Sequence, residues 1–252
     1  MKQVPQQNSV KINADLSINA DGIDPIMSLF DEYAVEEGIS WNEKVGGKVT
    51  ILSLGNEDWR EQMRRALAMG ATDSLLLSDT AFANLDVLGA ARVVAAAVKK
   101  LGDVNVVLCG RNSTDDESGA FAPTLARLLG WPQLTYVGKI ASMDASKLVG
   151  ERHLEDVIET VETSVPAVVS VVKGINEPRY PSLLRIKKVA KVEIPVWGAA
   201  DLGLSTADLA PKAVLSARVP PPPRPKGEIV DGSDAADKVR KLVDKLREAQ
   251  VI

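Results

Sequence analysis

Short apolar runs alternate along the chain with longer stretches whose apolar residues recur every three to four positions. VTILSLG, from Val49 to Gly55, reads as a strand, and EDWREQMRRALAMG places Trp59, Met63, Ala66 and Leu67 at helical spacing behind it. The pattern repeats with SLLLSD from Ser74, an alanine- and valine-rich helix over about 86–100, a strand over 104–110 and a helix over about 118–129. An earlier helix is predicted over 28–43. From Lys147 to Val172, charged residues alternate with Leu148, Leu154, Val157 and Val161, which predicts two or three strands. Parallel neighbours need crossover helices and bury both faces of the sheet. The expected fold is therefore α/β, a doubly wound, mainly parallel sheet of Rossmann-like type.

The pattern fades after Ile194. WGAADLGLSTADLAPKAVLSARVPPPPRPKG has little periodicity, and Pro220 to Pro223 have no backbone N–H to donate, so this stretch reads as a spacer. Beyond it SDAADKVRKLVDKLREA opens on a serine cap signal and aligns Val239, Leu242, Val243 and Leu246 on one face. The expected organisation is a domain over 1–195 and a C-terminal arm over 196–252. The arm's helix must cover a surface, its own domain's or a partner's.

Composition narrows the choice of partners. Of 252 residues, 45% are hydrophobic and 25% charged, the balance of a folded protein. A net charge of −4 argues against nucleic acid, whose phosphates call for a cationic excess. One cysteine, Cys109, and one histidine, His153, make neither an internal disulfide nor a zinc site of nitrogen and sulfur ligands. The segment MKQVPQQNSVKIN lacks the apolar centre of a secretory signal, and no apolar run approaches the roughly 20 residues of a membrane helix. The expected location is the cytoplasm, without membrane insertion.

Ligands of open α/β sheets bind beyond the carboxyl ends of the strands. Two loops qualify: SLGNED around Leu54 and Gly55, and CGRNSTDDESGAFAP from Cys109 to Pro123. The small residues Gly110, Ser113, Ser118 and Gly119 would let backbone amides approach a phosphate. Asp115, Asp116 and Glu117 would repel it, so they cap the next helix, bond ribose or adenine, or face solvent. Neither loop matches a dinucleotide or Walker fingerprint. Catalytic residues are not expected: His153 lies among charges without a nucleophile, Cys109 ends an apolar strand, and the pair Glu36 and Glu37 reads as a solvated helix face.

A collinear series of segments gives these loops a context. KQVP at Lys2, DEYAVEE at Asp31, GGKVTILSLG at Gly46, RRALAMGA at Arg64, CGRNSTDDESG, GWPQLTYV at Gly130 and VPAVVSVVKGINEPRYPSL together resemble the electron-transfer flavoprotein beta-subunit family over nearly the whole chain. The resemblance implies a small subunit that pairs with an alpha subunit carrying FAD. Such a heterodimer passes electrons from flavin dehydrogenases, such as acyl-CoA dehydrogenases, to a downstream acceptor. It also implies an adenine nucleotide in this subunit, AMP or, in electron-bifurcating members that oxidise NADH, a second FAD. Carried over by position, its contacts fall on Ser28, Leu29, Phe30 and Asp31, on Leu54 and Gly55, and on Gly110, Arg111, Asn112, Ser113, Thr114, Asp115, Asp116, Glu117, Ser118, Gly119, Ala120 and Phe121.

The residues divide between the two ligands. Paired Asp115 and Asp116 match the AMP type and Pro123 the FAD type, while Gly119, Ala120 and Phe121 replace the Asn-Gln-Thr of AMP-binding members. AMP, the commoner ligand, is the expectation. The family also has an apolar central strand before Lys-Gln-Val-Pro, where only Met1 stands here, so a shortened or misassigned start is expected. NEPRYPSLLRIKK resembles the family's docking loop, placed here over 174–191. Leu183 is its apolar anchor, with Tyr180 beside it and Arg185, Lys187 and Lys188 as a basic rim. A stand-alone nucleotide-binding enzyme or sensor is the alternative from another class.

Overall fold

The computed structural model describes residues 1–6, 11–13, 18–19, 22–213, 222–223 and 226–252. Strands β1 (Gln3–Pro5), β2 (Lys11–Ile12), β3 (Ile18–Asn19) and β4 (Pro25–Met27) open the chain as two small antiparallel pairs, β1 with β4 and β2 with β3. Next come α1 (Leu29–Val45), β5 (Thr50–Leu54), α2 (Arg60–Met69), β6 (Asp73–Leu77), α3 (Val87–Leu101), β7 (Val106–Gly110) and α4 (Phe121–Leu129). The remainder is β8 (Gln133–Met143), β9 (Lys147–His153), β10 (Ile158–Ser164), β11 (Ala167–Val171), α5 (Leu183–Val189), β12 (Val196–Trp197), α6 (Thr206–Leu209) and α7 (Ala235–Glu248).

Alternation along the strands builds two layers. On β6, Leu75 and Leu77 enter a core with Ala91, Val94 and Val98 of α3. Leu76 points the other way, to Ile39 of α1 and Met63 of α2. On β11, Val168 joins the α3 and α4 side, while Val169 and Val171 meet Ala34 of α1 and Leu134 and Val137 of β8. Successive strand residues face opposite sides, so helices on both faces are what these apolar runs require. The fold is the expected doubly wound α/β type, with β7–β11–β8 and β5–β6–β12 parallel and β8–β9–β10 antiparallel.

Among the described residues, no strand joins the two parallel sheets, which end at β5 and β7. The Met1 ammonium donates to the Leu52 carbonyl at 2.7 Å, and the Met1 carbonyl accepts from Ser53 Oγ at 2.8 Å. The N-terminal residues thus lie against the edge of β5 that no strand pairs among the described residues.

Some boundaries differ from the sequence pattern for local reasons. The α3 helix starts where expected because Asp86 Oδ1 accepts from Gly89 N at 2.7 Å. α4 begins at Phe121, later than predicted, because Gly119 takes a left-handed φ of 62° and Asp116 Oδ1 accepts from Ser118 N, which folds 116–119 into a turn. β8 was not predicted; Tyr136, at φ 61°, interrupts its alternation. α5 was read as loop: seven residues are too short to show a period, and Ser182 Oγ caps it by accepting from Arg185 N at 3.3 Å.

The first compact unit extends past residue 195, to Ala217. β12 adds to the β6 edge, and Trp197, Leu202, Leu204 and Leu209 pack on the α3 core. Elements of two and four residues leave no periodicity to read, which is why this stretch looked like a spacer. The second unit, Arg218–Ile252, holds α7, capped by Asp234 in place of the expected Ser233. None of the α7 residues is buried, and Val239 and Leu242 are exposed. Pro220 and Pro221 lie outside the described residues.

Candidate nucleotide site and docking segment

The α1 N-terminus and the β7–α4 loop form one cluster. Gly110 ends β7 against Phe30: a Cβ there would lie 2.6 Å from Phe30 Cβ and 2.8 Å from its carbonyl carbon, so only glycine admits this approach. Asp31 is 8% exposed and lies beneath the loop. Its Oδ1 accepts from Gly110 N at 3.0 Å and its Oδ2 from Lys2 N at 2.7 Å. Ser28, fully buried, accepts at Oγ from Thr114 N at 3.3 Å. Leu29 is exposed, and the Phe30 ring lies 5.2 Å from the Arg111 guanidinium, which also faces Tyr136 at 5.4 Å. Arg111 Nε donates to Asn112 Oδ1 at 3.1 Å.

The acids of the loop do not cap α4, as one expectation had it. Asp116 Oδ1 accepts from Ser113 Oγ and from Ser118 N, both at 3.0 Å, and so closes the turn itself. Lys2 Nζ reaches Ser113 Oγ at 3.3 Å, Asp115 at 2.8 Å and Asp116 at 3.6 Å. Burial alone would raise the Asp116 carboxyl; the Ser118 N–H and Lys2 override it and hold the group below its ordinary value. Glu117 is exposed, with φ 50°. α4 then opens at Ala120 with no side-chain cap, beside Gly119 and Phe121. Its first backbone N–H groups therefore have no side-chain cap. A cleft of about 360 Å³ adjoins it, lined by Gly119, Pro123, Thr135, Tyr136, Arg152 and Ser170.

The other predicted loop is smaller. Gly55 N donates to the Leu77 carbonyl at 3.0 Å, and the Trp59 ring lies so close that a Cβ on Gly55 would sit 2.3 Å from it. Leu54 joins the α3 core. Cys109 donates to the Val169 carbonyl across 3.6 Å, and burial, then the Asp31 carboxylate, push its thiol up to about 12. His153 is exposed on β9. Among the described residues, no cluster of three or more His, Cys, Asp and Glu is placed to hold a metal ion.

The segment expected to dock a partner, 174–191, lies along the far part of α1. Tyr180 is 91% exposed, and Leu183 and Leu184 are 78% and 79% exposed. Lys187 and Lys188 are exposed on the last turn of α5, while Arg185 Nη1 donates to the Met69 carbonyl at 2.9 Å and closes the end of α2. Glu36 and Glu37 overturn the expectation of a solvated face: both are buried. Glu36 pairs with Arg179 at 2.9 Å, and Glu37 accepts from Trp41 Nε1 at 2.9 Å and Asn176 Nδ2 at 2.8 Å. Sequence reasoning missed Lys2, Arg179 and Asn176, whose partners lie more than a hundred residues away.

Comparison with known proteins places the chain in a family. The electron transfer flavoprotein domain matches residues 15–202. An electron transfer flavoprotein subunit beta from Thermoanaerobacterium thermosaccharolyticum is 36% identical, over 100% of this chain and 98% of the relative. The chain belongs to the electron transfer flavoprotein beta-subunit family. Another family member, the beta subunit of Bacillus subtilis, is 34% identical over 93% of this chain and 91% of its own. The CarD subunit of the caffeyl-CoA reductase-Etf complex of Acetobacterium woodii is 32% identical, over 100% and 97%. Membership makes electron transfer the function of this flavoprotein-family chain. Among the described residues no helix is long and apolar enough to cross a membrane.

Proposed function

We propose that this chain is the small subunit of a cytoplasmic heterodimer that carries electrons from a flavin dehydrogenase, such as an acyl-CoA dehydrogenase, to a downstream acceptor. The alpha subunit holds the FAD; this subunit holds AMP at 110–121 and presents Tyr180, Leu183 and the lysines of α5 to the donor. The observation that carries the reading is the exposure of Tyr180, Leu183 and Leu184 on a segment otherwise fastened to the core. Apolar side chains held outward beside Lys187 and Lys188 suit a transient partner, the anchor giving residence and the charges steering. The loop suits a nucleotide: α4 opens uncapped among small residues, Arg111 is close by, and Lys2 offsets Asp115 and Asp116. In this role Ser28 and Asp31 hold the loop from below, while Phe30 and Arg111 to Phe121 meet the ligand. The C-terminal arm with α7 covers the alpha subunit, which gives Val239 and Leu242 an apolar partner.

Coexpression with the alpha subunit tests this. The complex should be yellow and release one flavin and one AMP on denaturation; a stable colourless complex would refute it. The cleft beside Gly119 and Pro123 favours one second reading, a bifurcating subunit whose own FAD extends into that space. Two flavins and no AMP per heterodimer would decide for it.

A further inference from the structure

Residues 177–182 form neither helix nor strand, so no backbone ladder fixes the stretch that carries Tyr180 and leads into Leu183. Asn176, just before it, donates to the Tyr33 carbonyl at 3.1 Å and to Glu37 at 2.8 Å, and within the stretch the hold on α1 runs through Arg179. Arg179 Nε donates to both Glu36 oxygens, at 3.1 and 2.9 Å, and Nη2 to Glu36 Oε1 at 2.9 Å. Nη1 and Nη2 reach the two oxygens of Glu43 at 2.6 and 2.9 Å, and the Arg179 backbone N–H donates to Glu36 Oε2 at 3.1 Å. Glu36 is 5% exposed, so its carboxylate depends on that guanidinium and on Ser40 Oγ, 3.0 Å away. Hydrogen bonds to Glu43, then Glu36, raise the Arg179 pKa further above its ordinary value. On the other side of Pro181, Arg185 fastens α5 to the end of α2. The exposed apolar residues thus project from a stretch pinned at both ends.

We infer that Arg179 is the positioning residue of the docking segment: by joining Glu36 and Glu43 of α1 it holds Tyr180 and Leu183 in the pose the dehydrogenase meets. The inference rests on the docking reading above. Its physical content is preorganisation. A stretch already ordered does not lose that freedom when the partner arrives, whereas a loosened one does, and the loss appears as weaker binding. A planar guanidinium serves two carboxylates at once, which an ammonium does not reproduce.

The test uses the full heterodimer, with steady-state reduction by an acyl-CoA dehydrogenase that turns over the wild type and the heterodimer as varied substrate. Arg179→Ala should raise KM about tenfold while kcat and flavin content stay unchanged, and Arg179→Lys should recover only part of the loss. Because Arg179 acts through Tyr180 and Leu183, the double variant with Leu183→Ala should lose less than the two single losses combined. An additive double variant would overturn the inference. So would an unchanged KM in flavin-loaded Arg179→Ala while Leu183→Ala is impaired, and in that case docking at Leu183 stands. If Leu183→Ala itself leaves KM unchanged, the docking reading fails and the inference falls with it. Should Arg179→Ala fail to assemble, Arg179→Gln enters the same assay under the same rule.

Discussion

The loop from Gly110 to Phe121 and the segment from Asn176 to Val189 both depend on α1, and they are fastened to it in opposite ways. The loop is held from beneath by short side chains at the start of the helix, Ser28 and Asp31, each accepting from backbone N–H groups. The proposed docking segment is held from the side by long charged residues further along, Arg179 on Glu36 and Glu43. In the first case the buried Ser28 and Asp31 side chains face the loop's backbone, which takes up left-handed geometry at Glu117 and Gly119. In the second the apolar groups turn outward. The contrast follows from the partner each would meet: a small ligand needs a shaped backbone, and a protein needs a presented side chain.

The comparison breaks most visibly at Asp31. Replacing it with alanine strips the acceptor from two backbone N–H groups, Gly110 and Lys2, at a site nearly closed to water. The expected loss is about 3 kcal/mol, since each buried donor left unpaired costs about 1–3 kcal/mol. Urea unfolding measures it, and AMP content of the heterodimer should fall with it. Gly110→Ala comes next. The added methyl would meet the Phe30 backbone at 2.8 Å, and relieving that overlap should cost about 2 kcal/mol and displace the loop. Undiminished stability in Gly110→Ala would mean that α1 is free to shift away from β7.

At the docking segment stability and function should separate. Leu183 is 78% exposed, so Leu183→Ala should change unfolding free energy by less than about 0.5 kcal/mol. KM for the heterodimer in dehydrogenase assays should nonetheless rise about tenfold, the order expected for truncating an interface anchor. Flavin loss in this variant would make the segment structural and erase the contrast with the loop.

The two regions also differed in how far their sequences revealed them. The strand that carries the loop was legible because parallel strands packed on both faces write continuous apolar runs, as in Val106, Val107 and Leu108 of β7. The loop itself was found by its place after β7, but the wiring under it was not: Asp31 and Gly110 are 79 positions apart, and nothing local links them. Glu36 and Glu37 misled for the same reason. Two adjacent acids on a helix belong on a solvated face unless a cation arrives from elsewhere, and Arg179 comes from 143 residues away. β8 and α5 were missed because a left-handed Tyr136 breaks one alternation and seven residues are too few for the other.

The smallest effect expected is a dependence on acid, and it probes whether the loop is fixed by charge as well as by geometry. Asp116 has its folded pKa lowered below the unfolded value: burial opposes this, and the Ser118 N–H, then Lys2, prevail. A carboxylate depressed in the folded state contributes stability that is fully present above its unfolded pKa and is lost as pH falls through the folded one. The contribution should therefore be complete at neutral pH and fade below the ordinary carboxylate range. Asp116→Asn removes the titration, so the gap between wild type and variant in urea midpoint should narrow between pH 6 and pH 3. With a pair this open to solvent, salt should shrink the gap at pH 6. A gap that is constant with pH would mean that the hydrogen bonds to Ser113 and Ser118 persist with the neutral side chain. The turn at 116–119 would then owe its shape to Gly119 and not to the charge on Asp116.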